Sequence, residues 1–210
     1  MQYQWDVSNT KTYNNRVGKY KFRKQFEFIV RNGNNKLDKI LDIAGGSGRF
    51  ALPLYEYSKD INVLDINAEA LQILKIRNLN IKTIQGDFID TQIEDVFSFI
   101  LCIEALGYFD DLDRFFNKVN VLLSDEGRFV FMYNNPKSWR FLLRRIKHIK
   151  KGAHSYKEVS LTELKTILTK SNFKIVEMQG MNWMPLPLSS NSRLVYLFEF
   201  IEKWFGFSNS

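Results

Sequence analysis

The sequence predicts an α/β protein with a doubly wound, mostly parallel sheet. Three observations carry this. Short apolar runs of strand length alternate with stretches of helical periodicity, and a cluster of glycines joins the first run to the first helix. One run, Phe97–Ile103, is apolar almost throughout, as suits a strand covered on both faces. A chain of 210 residues, 45% of them hydrophobic, is long enough for one domain with a full core, and 18 Phe, 9 Tyr and 4 Trp supply the bulk to fill it.

The polar and aromatic first 36 residues hold Val17, Tyr20, Phe26, Ile29 and Val30 at helical spacing, which predicts a lid or capping helix over 17–30. Strand one is 39–43, followed by Ala44-Gly45-Gly46-Ser47-Gly48 and a helical pattern through Phe50, Leu52, Leu54 and Tyr55. The unit repeats as a strand over 61–66 and a helix over 69–77, opened by Asn67 as a cap. A third strand, 81–85, runs into Gly86-Asp87-Phe88, and the apolar run is the fourth. A helix over 112–123 leads through Ser124-Asp125-Glu126-Gly127 to a fifth strand, 128–133. Ser160-Leu161-Thr162-Glu163 reads as a capping box for a helix to Thr169, and 171–177 then turns into a further strand. After Pro185 and Pro187 a last amphipathic helix spans 193–205. The expected organisation is a lid segment, 1–36, a core, 37–183, with a basic insertion at 137–157, and a C-terminal loop and helix, 184–210.

The net charge of +7 is local. Segment 137–157 holds eight Lys or Arg and no Asp or Glu, so the rest of the chain is close to neutral at −1. No stretch approaches the ~18–20 apolar residues that cross a bilayer. The N-terminus lacks the basic and apolar regions of a secretory signal, so a cytoplasmic protein is expected. The lone Cys102 lies in an apolar run and cannot form an intramolecular disulfide, which fits a reducing or indifferent compartment.

A glycine loop between a strand and a helix lets backbone N–H groups approach a ligand. Gly46-Ser47-Gly48-Arg49-Phe50-Ala51 also fits the dinucleotide pattern G-x-G-x-x-A, with Asp65 where a ribose-binding acid belongs. Asp42, just before the glycines, would set a carboxylate near a pyrophosphate, whereas a cationic amino-acid ligand favours it there. Gly86-Asp87-Phe88 offers an acceptor for an exocyclic amine and an aromatic face beside a purine.

On these residues the sequence resembles the class I S-adenosylmethionine-dependent methyltransferases, from about residue 37 to 180. Ile40-Leu41-Asp42-Ile43-Ala44-Gly45-Gly46-Ser47-Gly48 looks like their first motif, D-x-G-x-G-x-G, with Ala44 in place of the first glycine. Leu122 to Phe129 resembles the turn into their fifth strand, with Asp125-Glu126 as a departure. The resemblance implies a Rossmann-like sheet of seven strands with helices on both faces and S-adenosyl-L-methionine as cofactor. It implies contacts from Asp42, Ala44, Gly45, Gly46, Gly48, Asp65, Ile66, Asp87, Phe88 and Ile103, while Tyr13, Arg16 and Tyr20 resemble lid residues that cover the cofactor. No metal is expected.

Methyl transfer from a sulfonium is an in-line displacement from an activated donor, so placement and exclusion of water supply much of the catalysis. A hydroxyl acceptor gains from a base. Candidate catalytic residues are Glu104 and Tyr108, near the end of strand four, and His154, which follows Gly152-Ala153; Glu104 equally suits a solvated acid at a helix start, and Tyr108 a packing wall. The expected acceptor is a small or glycan-like molecule. An RNA or protein methyltransferase and a non-catalytic nucleotide-binding or membrane-associated module are the alternatives. Over 140–151, Arg140, Arg144, Lys147 and Lys151 lie at helical spacing opposite Phe141, Leu142, Ile146 and Ile149. This pattern suits the inner face of an anionic membrane or a phosphorylated glycan carrier, and equally a solvated helix; nucleic acid fits less well, because the interleaving is mainly aliphatic.

Overall fold

The structure is a computed structural model that describes residues 14–135, 159–181 and 184–205. In chain order the elements are α1 (Arg16–Gly33), β1 (Lys39–Ile43), α2 (Ala51–Leu54), β2 (Asp60–Asp65), α3 (Ala68–Arg77), β3 (Lys82–Gln85), β4 (Phe97–Ile103), α4 (Leu112–Leu122), β5 (Leu123–Met132), α5 (Leu161–Lys170) and α6 (Leu194–Phe205). They fall into two compact units. One is Asn32–Lys174; the other joins the chain up to Arg31 with the chain from Ile175 onward.

In the larger unit the strands form one sheet in the order β3-β2-β1-β4-β5, and every adjacent pair is parallel. Parallel neighbours need long crossovers, and the alternating strands and helices of the sequence provide them. The chain steps outward from β1 to β2 and β3, then returns to lay β4 on the other side of β1. That reversal opens a crevice beyond the carboxyl ends of β1 and β4, where open α/β sheets bind ligands.

Local chemistry fixes the helix starts. The Asn67 side chain accepts from the Ala70 N–H at 3.1 Å, Asp111 from the Arg114 N–H at 2.9 Å, and Ser160 from the Glu163 N–H at 3.2 Å, each satisfying a first-turn donor that has no helical partner. The core joins Leu41, Ile43, Ile100 and Cys102 of the central strands to Phe115, Phe116 and Val119 of α4 and Leu164, Ile167 and Leu168 of α5. Phe116 sits edge-on to Phe129, Phe131 and Phe173, the preferred arrangement of aromatic rings. The Cys102 thiol is fully buried, and burial pushes its pKa up, so it behaves as a small apolar residue.

Among the described residues the sheet has five of the seven expected strands, and two local expectations are corrected. The strand read over 171–177 is not formed. Phe173 packs on the core, but beyond it Ile175, Val176 and Met178 are 45%, 66% and 53% exposed, so no buried apolar face holds the rest of the segment as a strand. The turn expected at Ser124–Gly127 lies inside β5 instead: Phe97 pairs with Leu123 and Phe99 with Arg128, so these four residues bulge out of the ladder.

The smaller unit is built on its own contacts. Val17 and Tyr20 of α1 pack with Met184 and Val195, flanked by Leu186, Leu188 and Phe198. The two ends of the chain, read separately from the sequence, thus share one cluster. No described helix is long and apolar enough to cross a membrane.

Candidate active site

The loop after β1 carries the site. The Ala44 N–H donates to the Leu64 carbonyl at 2.7 Å, which ties the loop to β2 as the strand ends. Ala44, Gly46 and Gly48 all take positive φ, 56°, 55° and 83°. Glycine adopts this conformation freely, whereas alanine at 44 is strained, and strain of this kind collects at ligand sites.

Space as well as conformation demands the glycines. A Cβ on Gly45 would stand 2.6 Å from Cγ and Oδ2 of Asp42 and 2.9 Å from Val63 Cγ1, and one on Gly48 would collide with Leu74. At Gly46 the nearest atom is Asp65 Oδ2 at 3.7 Å, so that face is open.

Asp65, at the end of β2, grips the loop from the side. Its Oδ2 accepts from the Gly46 N–H and its Oδ1 from the Asn67 N–H, both at 2.8 Å. Burial raises its pKa, while the N–H groups of Asn67, Gly46 and Ile66 oppose that rise by favouring the charged form. Each carboxylate oxygen has two lone pairs, so acceptor capacity remains for ligand hydroxyls. Ile66, the next residue, is 49% exposed and offers an apolar surface beside that carboxylate.

Asp42 lies beneath the loop, 1% exposed, and its Oδ2 has no hydrogen-bond partner. Burial and the nearby Asp65 charge push its pKa up to about 7, with Arg49 acting in the other direction. A buried carboxyl with one unpartnered oxygen, poised near neutrality, is a natural counter-charge for a ligand cation.

Across the crevice, Glu104 follows β4 with φ 62°, a conformation unusual for a glutamate, and its Oε2 pairs with Arg49 Nη1 at 3.2 Å. Arg49 also lies over the Phe50 ring, 4.7 Å from its centroid. Ile103, at the end of β4, is half-buried, and Tyr108 is exposed in a short 3-10 turn, Leu106–Tyr108.

The third strand ends in a tight turn. Asp87 Oδ1 accepts from the Ile89 N–H at 2.7 Å, and its carbonyl accepts from the Thr91 hydroxyl at 2.6 Å, leaving the residue exposed. Phe88 turns the other way. It is 1% exposed, packed against Phe109 and Phe115 with Lys118 Nζ over its ring, so that ring belongs to the core rather than offering a free face.

The structure therefore brings Asp42, Ala44, Gly45, Gly46, Gly48, Asp65, Ile66, Ile103 and Glu104 to the carboxyl ends of β1, β2 and β4. Arg16 and Tyr20 are engaged within the smaller unit: Arg16 donates to the Asn191 carbonyl, and the Tyr20 hydroxyl donates to Glu202. Tyr13, His154 and the basic segment 137–157 lie outside the described residues. Arg49 was missed. It stands 55 positions from Glu104, and only its place in the glycine loop facing an acid could have drawn attention to it. Among the described residues no cluster of His, Cys, Asp and Glu is arranged to hold a metal ion.

A family model described as a methyltransferase domain matches residues 17–178. The ubiquinone biosynthesis O-methyltransferase of Klebsiella pneumoniae (strain 342) is 24% identical over 170 residues, covering 74% of this chain and 70% of that one. An S-adenosylmethionine-dependent methyltransferase from Clostridium acetobutylicum superposes with a TM-score of 0.63 at 17% identity, over 78% of this chain and 85% of that one. Magnesium protoporphyrin IX methyltransferase from Synechocystis, solved with bound SAH, superposes at 0.65 with 13% identity, over 87% and 85%.

Proposed function

Because this chain belongs to the methyltransferase domain family and is an S-adenosylmethionine-dependent methyltransferase, we propose that it methylates a small-molecule acceptor at the crevice between β1 and β4. One observation carries the choice of site: the Asp65 carboxylate holds the Gly46 N–H and faces the open side of the loop, beside the buried Asp42 Oδ2, which has no hydrogen-bond partner.

The residues present fit the cofactor. Asp65 would accept from the ribose hydroxyls on its spare lone pairs, Ile66 would offer its apolar surface to the adenine, and the turn at Asp87 would supply acceptors for the exocyclic amine. The loop backbone at Ala44, Gly45, Gly46 and Gly48 would hold the methionyl end, with the buried Asp42 charge favouring the ammonium group. The bound cofactor supplies a sulfonium whose methyl group is activated for in-line displacement.

The chain's remaining task is to place the acceptor and exclude water. Glu104 stands at the end of β4, held by Arg49, and is the group we assign to taking the proton when the acceptor is a hydroxyl. Tyr108 forms an exposed wall nearby. A small-molecule acceptor draws support from the relatives, whose names concern ubiquinone biosynthesis and magnesium protoporphyrin IX. A glycan-like acceptor remains within that class, with RNA and protein as the competing substrates.

Calorimetry with S-adenosylhomocysteine tests the cofactor site: saturable binding is expected, weakened on Asp65→Ala in a folded protein. Unchanged affinity in that variant would overturn the assignment. For the acceptor, methyl transfer from labelled cofactor is compared across small phenols, glycans, RNA and protein, and labelling confined to macromolecules would overturn the small-molecule reading.

A further inference from the structure

Helix α6 turns a mixed face inward, with Val195 buried and Phe198 packed beside it in the cluster of Val17, Tyr20 and Met184. Glu199 and Glu202 point inward against α1, where Arg23 pairs with Glu199 at 2.7 Å, Lys24 with Glu202 at 3.5 Å, and the Tyr20 hydroxyl donates to the same glutamate. Tyr196, Phe200 and Trp204, spaced four residues apart on one face, are 58%, 60% and 74% exposed, with Leu197 beside them at 52%. The Phe200 and Trp204 rings lie 6.0 Å apart, so the stripe is continuous.

We infer that this stripe is a docking surface for an anionic lipid bilayer. Contiguous exposed apolar surface of this kind costs free energy in water and marks interaction sites. The residue types suit the interface between hydrocarbon and headgroups, where tryptophan and tyrosine concentrate because one end of each is apolar and the other polar. Charge points the same way. Both α6 carboxylates are withdrawn from the outward face and neutralised by Arg23 and Lys24 of α1, and of the other basic residues of α1 Arg16 and Lys19 are exposed. An apolar stripe beside a basic helix binds anionic membrane by area and by attraction together. A second copy of the chain is a poorer occupant: three rings of roughly 150–250 Å² each, partly exposed, offer about 400 Å², half of the ~800 Å² per partner that a stable dimer buries.

The test floats the full chain with vesicles of phosphatidylcholine alone or mixed with phosphatidylglycerol. Association with the mixed vesicles is expected, weakened by salt, and Phe200→Ser/Trp204→Ser should lower it about ten-fold or more through lost apolar burial. S-adenosylhomocysteine affinity should not change, which also shows that the variant is folded. Brominated lipids should quench tryptophan fluorescence in the wild type, and Trp204→Phe, which keeps an apolar ring, should remove the quenching while leaving flotation nearly intact. Wild-type flotation in the double serine variant, including flotation that depends only on the basic residues of 140–151, would overturn the inference. So would absence of vesicle binding, whether or not a dimer sensitive to the same variant is found.

Discussion

Gly46 and Asp65 meet across nineteen positions of sequence: the glycine N–H donates to Asp65 Oδ2 at 2.8 Å, so the carboxylate that ends β2 also holds the loop that follows β1. Binding and loop geometry are therefore coupled in one side chain. Asp65→Ala removes acceptors worth roughly 1.5–3 kcal/mol each for charge-assisted bonds. Calorimetry should show S-adenosylhomocysteine affinity falling by about 2–4 kcal/mol.

Asp42 makes both stability and binding depend on pH. Its folded pKa, about 7, lies above the ordinary carboxylate value of 3.8. The folded state thus holds a proton that the unfolded state has released. Any stability from this group is intact below the ordinary value and is lost as pH rises toward 7. Asp42→Asn should therefore raise the melting temperature of the ligand-free protein at pH 8 and leave it nearly unchanged at pH 4. Cofactor binding responds in the opposite sense. A ligand ammonium favours the ionised carboxyl, so affinity should rise between pH 6 and 8, and that slope should vanish in Asp42→Asn.

Adjacent glycines should respond differently to alanine. At Gly45 the new Cβ meets the Asp42 carboxyl and Val63, and overpacking of this kind costs about 1–3 kcal/mol. At Gly46 space is open and only the positive φ is penalised, at roughly 1 kcal/mol. Urea unfolding should rank Gly45→Ala as the less stable variant.

Glu104→Gln keeps the size of the side chain and removes its charge. With a hydroxyl acceptor, kcat should fall by about 100-fold or more, and the acidic limb of the pH–rate profile should disappear. S-adenosylhomocysteine affinity should change little. A drop in affinity with unchanged kcat would assign Glu104 to holding Arg49 instead.

Tyr20→Phe removes the hydroxyl donor from Glu202, a carboxylate that is 3% exposed. Leaving that group short of a partner should cost about 1–3 kcal/mol. Chemical denaturation measures the cost, and unaltered cofactor affinity in the same variant would separate this role from that of a cofactor lid.

The sequence by itself determined the order of strands and helices, the caps at Asn67 and Ser160, and the loop at residues 44–48. Each of these is a local matter: apolar period, a side chain within reach of its own helix start, or a glycine where a Cβ will not fit. It also brought Asp42 and Asp65 into view, because strand ends converge in any parallel sheet. Burial and distant pairing were decided only by the tertiary structure. Phe88 reads as a ligand face from its neighbours in sequence, but Phe109 and Phe115 claim its ring. Residues 171–177 read as a strand, yet past Phe173, which packs on Phe116 and Phe129, Ile175 and Val176 are exposed and nothing holds them in the sheet. Arg49 finds Glu104, and Tyr20 finds Glu202 across 182 positions, because folding places them together and no local pattern encodes such a partner. The outward aromatic face of α6 has the same origin. Helical period shows that a helix has two faces, and only packing against α1 selects the one bearing Val195, Glu199 and Glu202 to turn inward.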